Sequence, residues 1–231
     1  DKKATFERLI AEKKLGALAL LRNLRGMQVA GVPKAKIAKA LDDMRTDRVL
    51  PYRFIAAAQY APDVEPELEH AMFRSIEGHA KLKGKTILLV DVSGSMDGLL
   101  SGRSEMRRLD AACGLAVLAR EICEDVEIYT FSDAVKKVPA RRGFALRDAI
   151  VKSQPHMSTY LGRAVQEVDR KGARLIVFTD EQSHDRVDAP KGLGYMVNVA
   201  SYQHGVGHGD WRRIDGFSEK ILDWIIASEQ G

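Results

Sequence analysis

Cysteine is scarce in this chain, with two thiols, Cys113 and Cys123, in 231 residues. Both read as lying on one helix, ten positions and about 15 Å of rise apart, which is beyond the reach of a disulfide. A disulfide framework is therefore excluded as the source of stability, and core thiols in a reducing compartment are expected. Long apolar runs are missing as well. The longest, around residues 111–119, is too short to cross a bilayer, and no secretory apolar segment follows Asp1-Lys2-Lys3. The expectation is a cytoplasmic protein that does not enter a membrane. Neither sign of charge dominates, since the formal net charge is only +4. That balance hides an asymmetry: Lys and Arg exceed Asp and Glu by five over residues 1–84 and fall one short over the remainder. The surplus tilts a partner toward polyanions, although a solvated helix face explains it as readily.

What is present is ordinary for a soluble globular protein, 45% hydrophobic and 29% charged, and argues against disorder. A chain of 231 residues suits one large domain, or one of about 150 residues with a smaller companion. A change of pattern near residue 83 favours the second arrangement, with domains 1–82 and 83–231.

The first domain reads as helices throughout. Leu15, Leu18, Leu21 and Met27 fall near helical spacing, and Ile37, Leu41 and Met44 follow Pro33, which suits a first helical turn. A third short helix starts near Pro51 and ends before Pro62. The last runs from about Pro66 to Leu82 with Leu68, Met72, Phe73 and Ile76 on its apolar side and Glu65, Glu67 and Glu69 near its positive end. Short helices between Pro- and Gly-marked turns suggest a small all-α segment of stacked helical repeats.

From Lys85 the pattern alternates strand and helix. Ile87–Val90 is a buried strand, Arg107 to Cys123 a helix apolar nearly all round, and Val126 to Phe131 the next strand. Ala134 to Val138 suits a short edge strand ending at Pro139. Phe144 to Val151 is helical, and Ser158-Thr159 would cap a helix from Tyr160 to Lys171, stopped by Gly172. Leu175 to Thr179 is a continuous apolar run ending in Asp180, the mark of a parallel strand buried on both faces. Tyr195 to Ser201 is another strand, and Phe217 to Ala227 the closing helix. The fold class is α/β, a doubly wound and mostly parallel sheet of Rossmann type behind the helical segment.

Chemistry concentrates in the stretch KTILLVDVSGSM, residues 85–96. The strand delivers Asp91 to a turn carrying Ser93 and Ser95, with Gly94 between them to let the backbone bend. Thr159, opening a helix, and Asp180, ending a central strand, fall on the same rim of a doubly wound sheet, where such folds bind ligands. Hydroxyl and carboxylate oxygens without His or Cys suit a hard cation, Mg²⁺ or Mn²⁺. Each residue also has a plainer reading: Asp, Ser and Gly form ordinary turns, Thr159 could be a helix cap, and Asp180 could cap a helix starting at Glu181-Gln182.

The order D-x-S-x-S, then Thr before a helix, then an apolar strand ending in Asp, resembles the metal-ion-dependent adhesion site of von Willebrand factor A domains over residues 85 to 228. That resemblance implies a magnesium site in which Ser93 and Ser95 bind directly, Asp91 and Asp180 mostly through water, and Thr159 according to state. It also implies an open position that a partner protein's carboxylate can fill. LGALALLRNLRGM at Leu15–Met27, YRFIAAAQYA at Tyr52–Ala61, VFTDEQSH at Val177–His184 and ASYQHGVGHGDWRRIDGFSE at Ala200–Glu219 are similar to the end of the TROVE module and the adjoining von Willebrand domain of Ro ribonucleoproteins, bacterial branch. This implies a non-enzymatic, metal-binding protein that handles small or misfolded noncoding RNA. A complete Ro ring needs several times more helical sequence than the segment before residue 83.

Weaker signals remain. Arg22, Arg25, Lys34, Lys36 and Lys39 form the densest basic cluster, open to RNA backbone contact or to simple solvation. His204, His208 and Asp210 have zinc-like spacing on a helix, but three interleaved glycines argue for a loop. The G-x-G-x-G there follows a late strand and opens no clear helix, which argues against a dinucleotide site. As an enzyme the chain is poorly equipped. Phosphatases using an aspartyl phosphate carry a second Asp two residues on, where this chain has Ser93, and a serine-hydrolase elbow would need a Gly that the Ser93-Gly94-Ser95 turn lacks. An adhesion-type module without RNA stands as the alternative function.

Overall fold

The computed structural model describes residues 1–102, 106–139, 141–200, 209–216, 218 and 220–230. The chain divides into two compact units, residues 1–79 and 80–231.

The first unit holds α1 (Lys2–Ala11), α2 (Ala17–Val29), α3 (Lys34–Asp43), α4 (Tyr52–Ala58) and α5 (Glu65–Ile76). Helix α1, which carries no strong apolar stripe and escapes sequence reading, opens on Asp1, whose carboxylate accepts the Lys3 N–H at 3.0 Å. Helix α2 buries Leu20, Leu21, Leu24 and Met27, whereas Leu18 is 41% exposed. Of the expected set, Leu21 and Met27 lie on that buried stripe, Leu15 precedes the helix, and Leu18 faces outward because Leu20 and Leu24 take the inner face beside Leu21 and Met27. Arg74 of α5 donates to the carbonyls of Leu41 (3.0 Å) and Asp42 (3.2 Å), satisfying two open acceptors at the end of α3. Helix α5 stops at Ile76, six residues before the expected Leu82, as Gly78 turns the backbone to φ +84°.

The second unit holds β1 (Leu82–Asp91), α6 (Arg108–Ile122), β2 (Cys123–Phe131), β3 (Val135–Lys137), α7 (Gly143–Val151), α8 (Leu161–Val168), β4 (Ala173–Thr179), β5 (Gly194–Asn198), β6 (Arg212–Asp215) and α9 (Lys220–Gln230). They form a six-stranded sheet in the order β3-β2-β1-β4-β5-β6, antiparallel only where the edge strand β3 meets β2. This is the expected α/β sheet. Strand β1 lies between β2 and β4, with Asp91 opposite Phe131 and Val90 opposite Phe178. The winding reverses between β1 and β4, and beyond the carboxyl ends of such a strand pair doubly wound sheets bind their ligands. Ile87 and Leu89 of β1, Leu175 and Val177 of β4 and Leu161 and Val165 of α8 share one buried cluster.

Local readings shift at four places. Cys123 is not on the helix of Cys113: α6 ends at Ile122, and Cys123 starts β2 in register with Leu82, so strand pairing overrides helix continuation. Both cysteines are buried and free. Helix α8 ends at Val168 rather than Lys171, because Asp169 turns extended and its carboxylate accepts the Lys191 N–H at 2.6 Å. Strand β6, with one apolar residue in four, is set by pairing with β5 and not by its own pattern. The closing helix runs Lys220–Gln230, and Phe217 and Ser201 lie outside the described residues.

At the amino end of the strands, Arg174 of β4 is nearly buried and pairs with Glu229 of α9. Its Nε donates to Glu229 Oε1 (2.6 Å), its Nη1 to Thr86 Oγ1 (2.7 Å) and its Nη2 to the Lys83 carbonyl (3.2 Å). Tyr195 OH donates to the same carboxylate at 2.7 Å. Among the described residues, no helix is long and apolar enough to cross a membrane.

Candidate metal centre

Asp91 reaches the rim because β1 is apolar up to that residue and central in the sheet. It is fully buried. One carboxylate oxygen accepts the Ser93 N–H at 2.9 Å and the other the Thr179 hydroxyl at 2.6 Å. Burial pushes its carboxyl up from the ordinary 3.8 to about 7, the negative charge of Asp180 adds to the push, and the bonds from Ser93 and Thr179 pull the other way. A buried carboxylate without a cation of its own thus faces a second acid, at a cost that a bound cation would relieve.

The turn after Asp91 is a short 3-10 segment, Gly94–Asp97, that sets Ser93 Oγ and Ser95 Oγ 3.4 Å apart. Ser93 is buried, and the Gly94 N–H donates to the Met157 carbonyl at 2.9 Å, which ties this turn to the loop bearing Thr159. A Cβ on Gly94 would sit 3.4 Å from the His156 carbonyl, so the close approach of the two loops leaves little room there.

Asp180 follows β4 directly and is also fully buried. Its Oδ1 accepts the Gln182 N–H at 3.3 Å and its Oδ2 the Arg108 Nη1 at 3.1 Å, while the same Nη1 donates to the Ser95 carbonyl at 3.1 Å. No helix begins at Glu181-Gln182, which removes the capping reading of Asp180. Glu181 itself is buried with a left-handed φ of +57° and faces Arg213 Nε at 3.1 Å as an ion pair. Burial first, and Asp215 in addition, push its carboxyl up to about 7 against the pull of Arg213.

Thr159 is 4% exposed and does not cap α8. The N–H groups that open α8 are held instead from the loop after β4: Leu161 by Ser183 Oγ (3.2 Å), Gly162 and Arg163 by the Asp185 carboxylate (2.9 and 2.8 Å). Gly162 permits this approach, since a Cβ there would lie 1.9 Å from the Arg186 carbonyl. Thr159 is fixed by its neighbours in space: its N–H donates to His184 Nδ1 (3.2 Å) and its carbonyl accepts the His184 N–H (2.9 Å).

Asp91, Ser93, Ser95 and Asp180 are thus linked through direct bonds and one shared guanidinium, and Thr159 joins them through the Met157 and His184 backbone contacts. Among the described residues, no three His, Cys, Asp or Glu side chains form a metal-binding group, so a cation here would depend on the hydroxyls. The set of two carboxylates and three hydroxyls, all hard oxygens, fits Mg²⁺ or Mn²⁺. Sequence reading misses Thr179, Arg108 and His184, whose roles arise from contacts 25 to 88 positions away. His204 and His208 lie outside the described residues.

Arg22 and Arg25 stand on α2 and Lys34, Lys36 and Lys39 on α3, all exposed. Lys36 is partly neutralised by Glu7, at 3.2 Å.

No protein-family model matches the chain, and no curated protein does. Among solved structures, one from Bacteroides fragilis, an aerotolerance-related membrane protein, aligns over 50% of this chain and 67% of its own at 14% identity, with a TM-score of 0.37, below the level at which folds are alike. The Ro (RSR) protein of Deinococcus radiodurans aligns over 94% of this chain at 21% identity with a TM-score of 0.65. The match takes in 53% of that protein, so this chain spans about half its length. Over nearly all of its residues, the chain shares the fold of a Ro protein.

Proposed function

We propose that the chain is a Ro-type, TROVE-related protein: a non-enzymatic, Mg²⁺-binding (or Mn²⁺-binding) cytoplasmic protein that takes part in binding and quality control of small or misfolded noncoding RNA. The observation that carries this reading is the extent of the likeness to the Deinococcus Ro protein. A match over 94% of the chain takes in the helical unit as well as the α/β unit, which a likeness to an isolated von Willebrand domain would not. The metal reading is supported by the rim placement of Asp91, Ser93, Ser95 and Asp180. Asp91, Ser93, Ser95, Thr159 and Asp180 would hold the ion, which would supply positive charge for an anionic oxygen, while Thr179 and Ser93 hold Asp91 in place and His184 holds the Thr159 backbone. RNA would be gripped by the exposed cations of α2 and α3.

Filter binding of the purified chain against single-stranded and structured RNAs tests the reading. Binding that weakens with salt is expected, and neutralising Lys34, Lys36 and Lys39 together should weaken it for all sequences. The salt slope on single strands should flatten by roughly 0.7 for each phosphate left without its cation. Asp91→Ala should leave RNA affinity unchanged. No binding at low salt, or binding abolished by Asp91→Ala and indifferent to the lysines, would refute it. Met157 and Tyr160, flanking Thr159, are 58% and 38% exposed and favour a second reading, metal-dependent docking of a partner protein's acidic residue without RNA.

A further inference from the structure

Arg108, the first residue of α6, is built into the rim. Its backbone N–H donates to the Gly98 carbonyl at 3.0 Å, and a Cβ on Gly98 would lie 3.4 Å from its guanidinium carbon, so Gly98 both anchors the residue and makes room for its head group. The Nη1 bridges two loops, reaching Asp180 Oδ2 and the Ser95 carbonyl at 3.1 Å each. The side chain is 16% exposed and its partner Asp180 is fully enclosed, so water screens the charge pair weakly.

A guanidinium in this place is a cation where a cation is expected. It neutralises one of the two carboxylates of the donor set, and it would repel a divalent ion bound beside that carboxylate. We propose that Arg108 is a resident counter-cation that competes with the divalent ion for Asp180, holding the site's cation affinity below what its oxygens would otherwise give. The inference rests on the metal reading above. On this view, filling the site requires the guanidinium to loosen from Asp180, and the Ser95 carbonyl offers it a second acceptor within the same reach. A planar fork with several donors can keep one bond while releasing another, which a lysine ammonium at that distance does less well.

Mn²⁺ binding, followed by isothermal titration calorimetry and by the electron paramagnetic resonance signal of free Mn²⁺, tests this on the full chain. Arg108→Gln is expected to bind Mn²⁺ on the order of tenfold to a hundredfold more tightly than wild type, from the removal of a close like charge. Arg108→Lys, which keeps the charge but pairs less closely with Asp180, is expected to fall between the two. Equal or weaker binding by a cooperatively melting Arg108→Gln would overturn the proposal, since a purely structural or supporting arginine predicts that result. Should Arg108→Gln fail to fold, Arg108→Lys decides on the same terms, tighter binding supporting the proposal and equal or weaker binding overturning it. Absence of Mn²⁺ binding in wild type and both variants would instead overturn the metal reading itself.

Discussion

Asp91→Asn separates the cost of the buried charge from the shape of the site. In the cation-free protein the Asp91 carboxyl is pushed from 3.8 to about 7, by burial first and by Asp180 second. The folded state therefore holds that proton more tightly than the unfolded chain does. As far as this group is concerned, the protein is most stable below about pH 4, loses stability as the pH rises, and loses no more above about pH 7. A shift of roughly three units corresponds to about 4 kcal/mol at pH 8. Asparagine removes the charge and keeps the outline. Its carbonyl can still accept the Ser93 N–H, but its amide must face Thr179 Oγ1, which already accepts the Glu181 N–H at 3.0 Å. One hydrogen bond, worth about 1 kcal/mol, is compromised. In chelator at pH 8, Asp91→Asn is thus expected to be about 3 kcal/mol more stable than wild type, and at pH 4 about 1 kcal/mol less. Guanidinium denaturation at the two pH values measures both. Mg²⁺ at a hundredfold excess over its dissociation constant should then stabilise wild type by about 2.7 kcal/mol and the variant not at all. A variant equally destabilised at both pH values would refute the buried-charge argument, and one retaining the full Mg²⁺ increment would place the ion elsewhere.

Gly162→Ala must move the backbone of α8 or of the loop at Arg186, given a Cβ 1.9 Å from that carbonyl, and a destabilisation of at least about 1–3 kcal/mol is expected by calorimetry; an unchanged melting temperature would contradict the close approach. Arg174→Met leaves the part-buried Glu229 carboxylate to the Tyr195 hydroxyl and the charge of Arg212, so a destabilisation of about 1.5–3 kcal/mol is expected, with part of it recovered when Glu229→Gln is added. Two single effects that simply add in the double variant would show that the pair is not coupled.

The parts of the fold legible in the sequence are those written in local periodicity. Strands β1 and β4 each carry an unbroken apolar run, Ile87 to Val90 and Leu175 to Phe178, that leads to an acid, and that pattern alone puts Asp91 and Asp180 on one rim. What escaped reading depends on partners distant in sequence. The arginines and lone isoleucine of β6 carry no strand signal until β5 lies beside them, and Cys123 leaves its helix because Leu82 pairs with it. Thr159 precedes a helix and so reads as a cap, yet the cap comes from Asp185, in a loop that follows the next strand. Arg108 looks like one of many surface cations, and only the folded chain shows which carboxylate it meets.

The Arg174 cluster has a mechanical consequence. By touching the Lys83 carbonyl and Thr86 of β1 and Glu229 in the last turn of α9, one side chain of β4 clamps the two strands that lead to the rim's acids to each other and to a helix, at the opposite end of the strands from Asp91. A slip of register between β1 and β4, which would carry Asp91 past Asp180, must first break that clamp. The spacing of the rim is thereby set in part from the far end of the sheet.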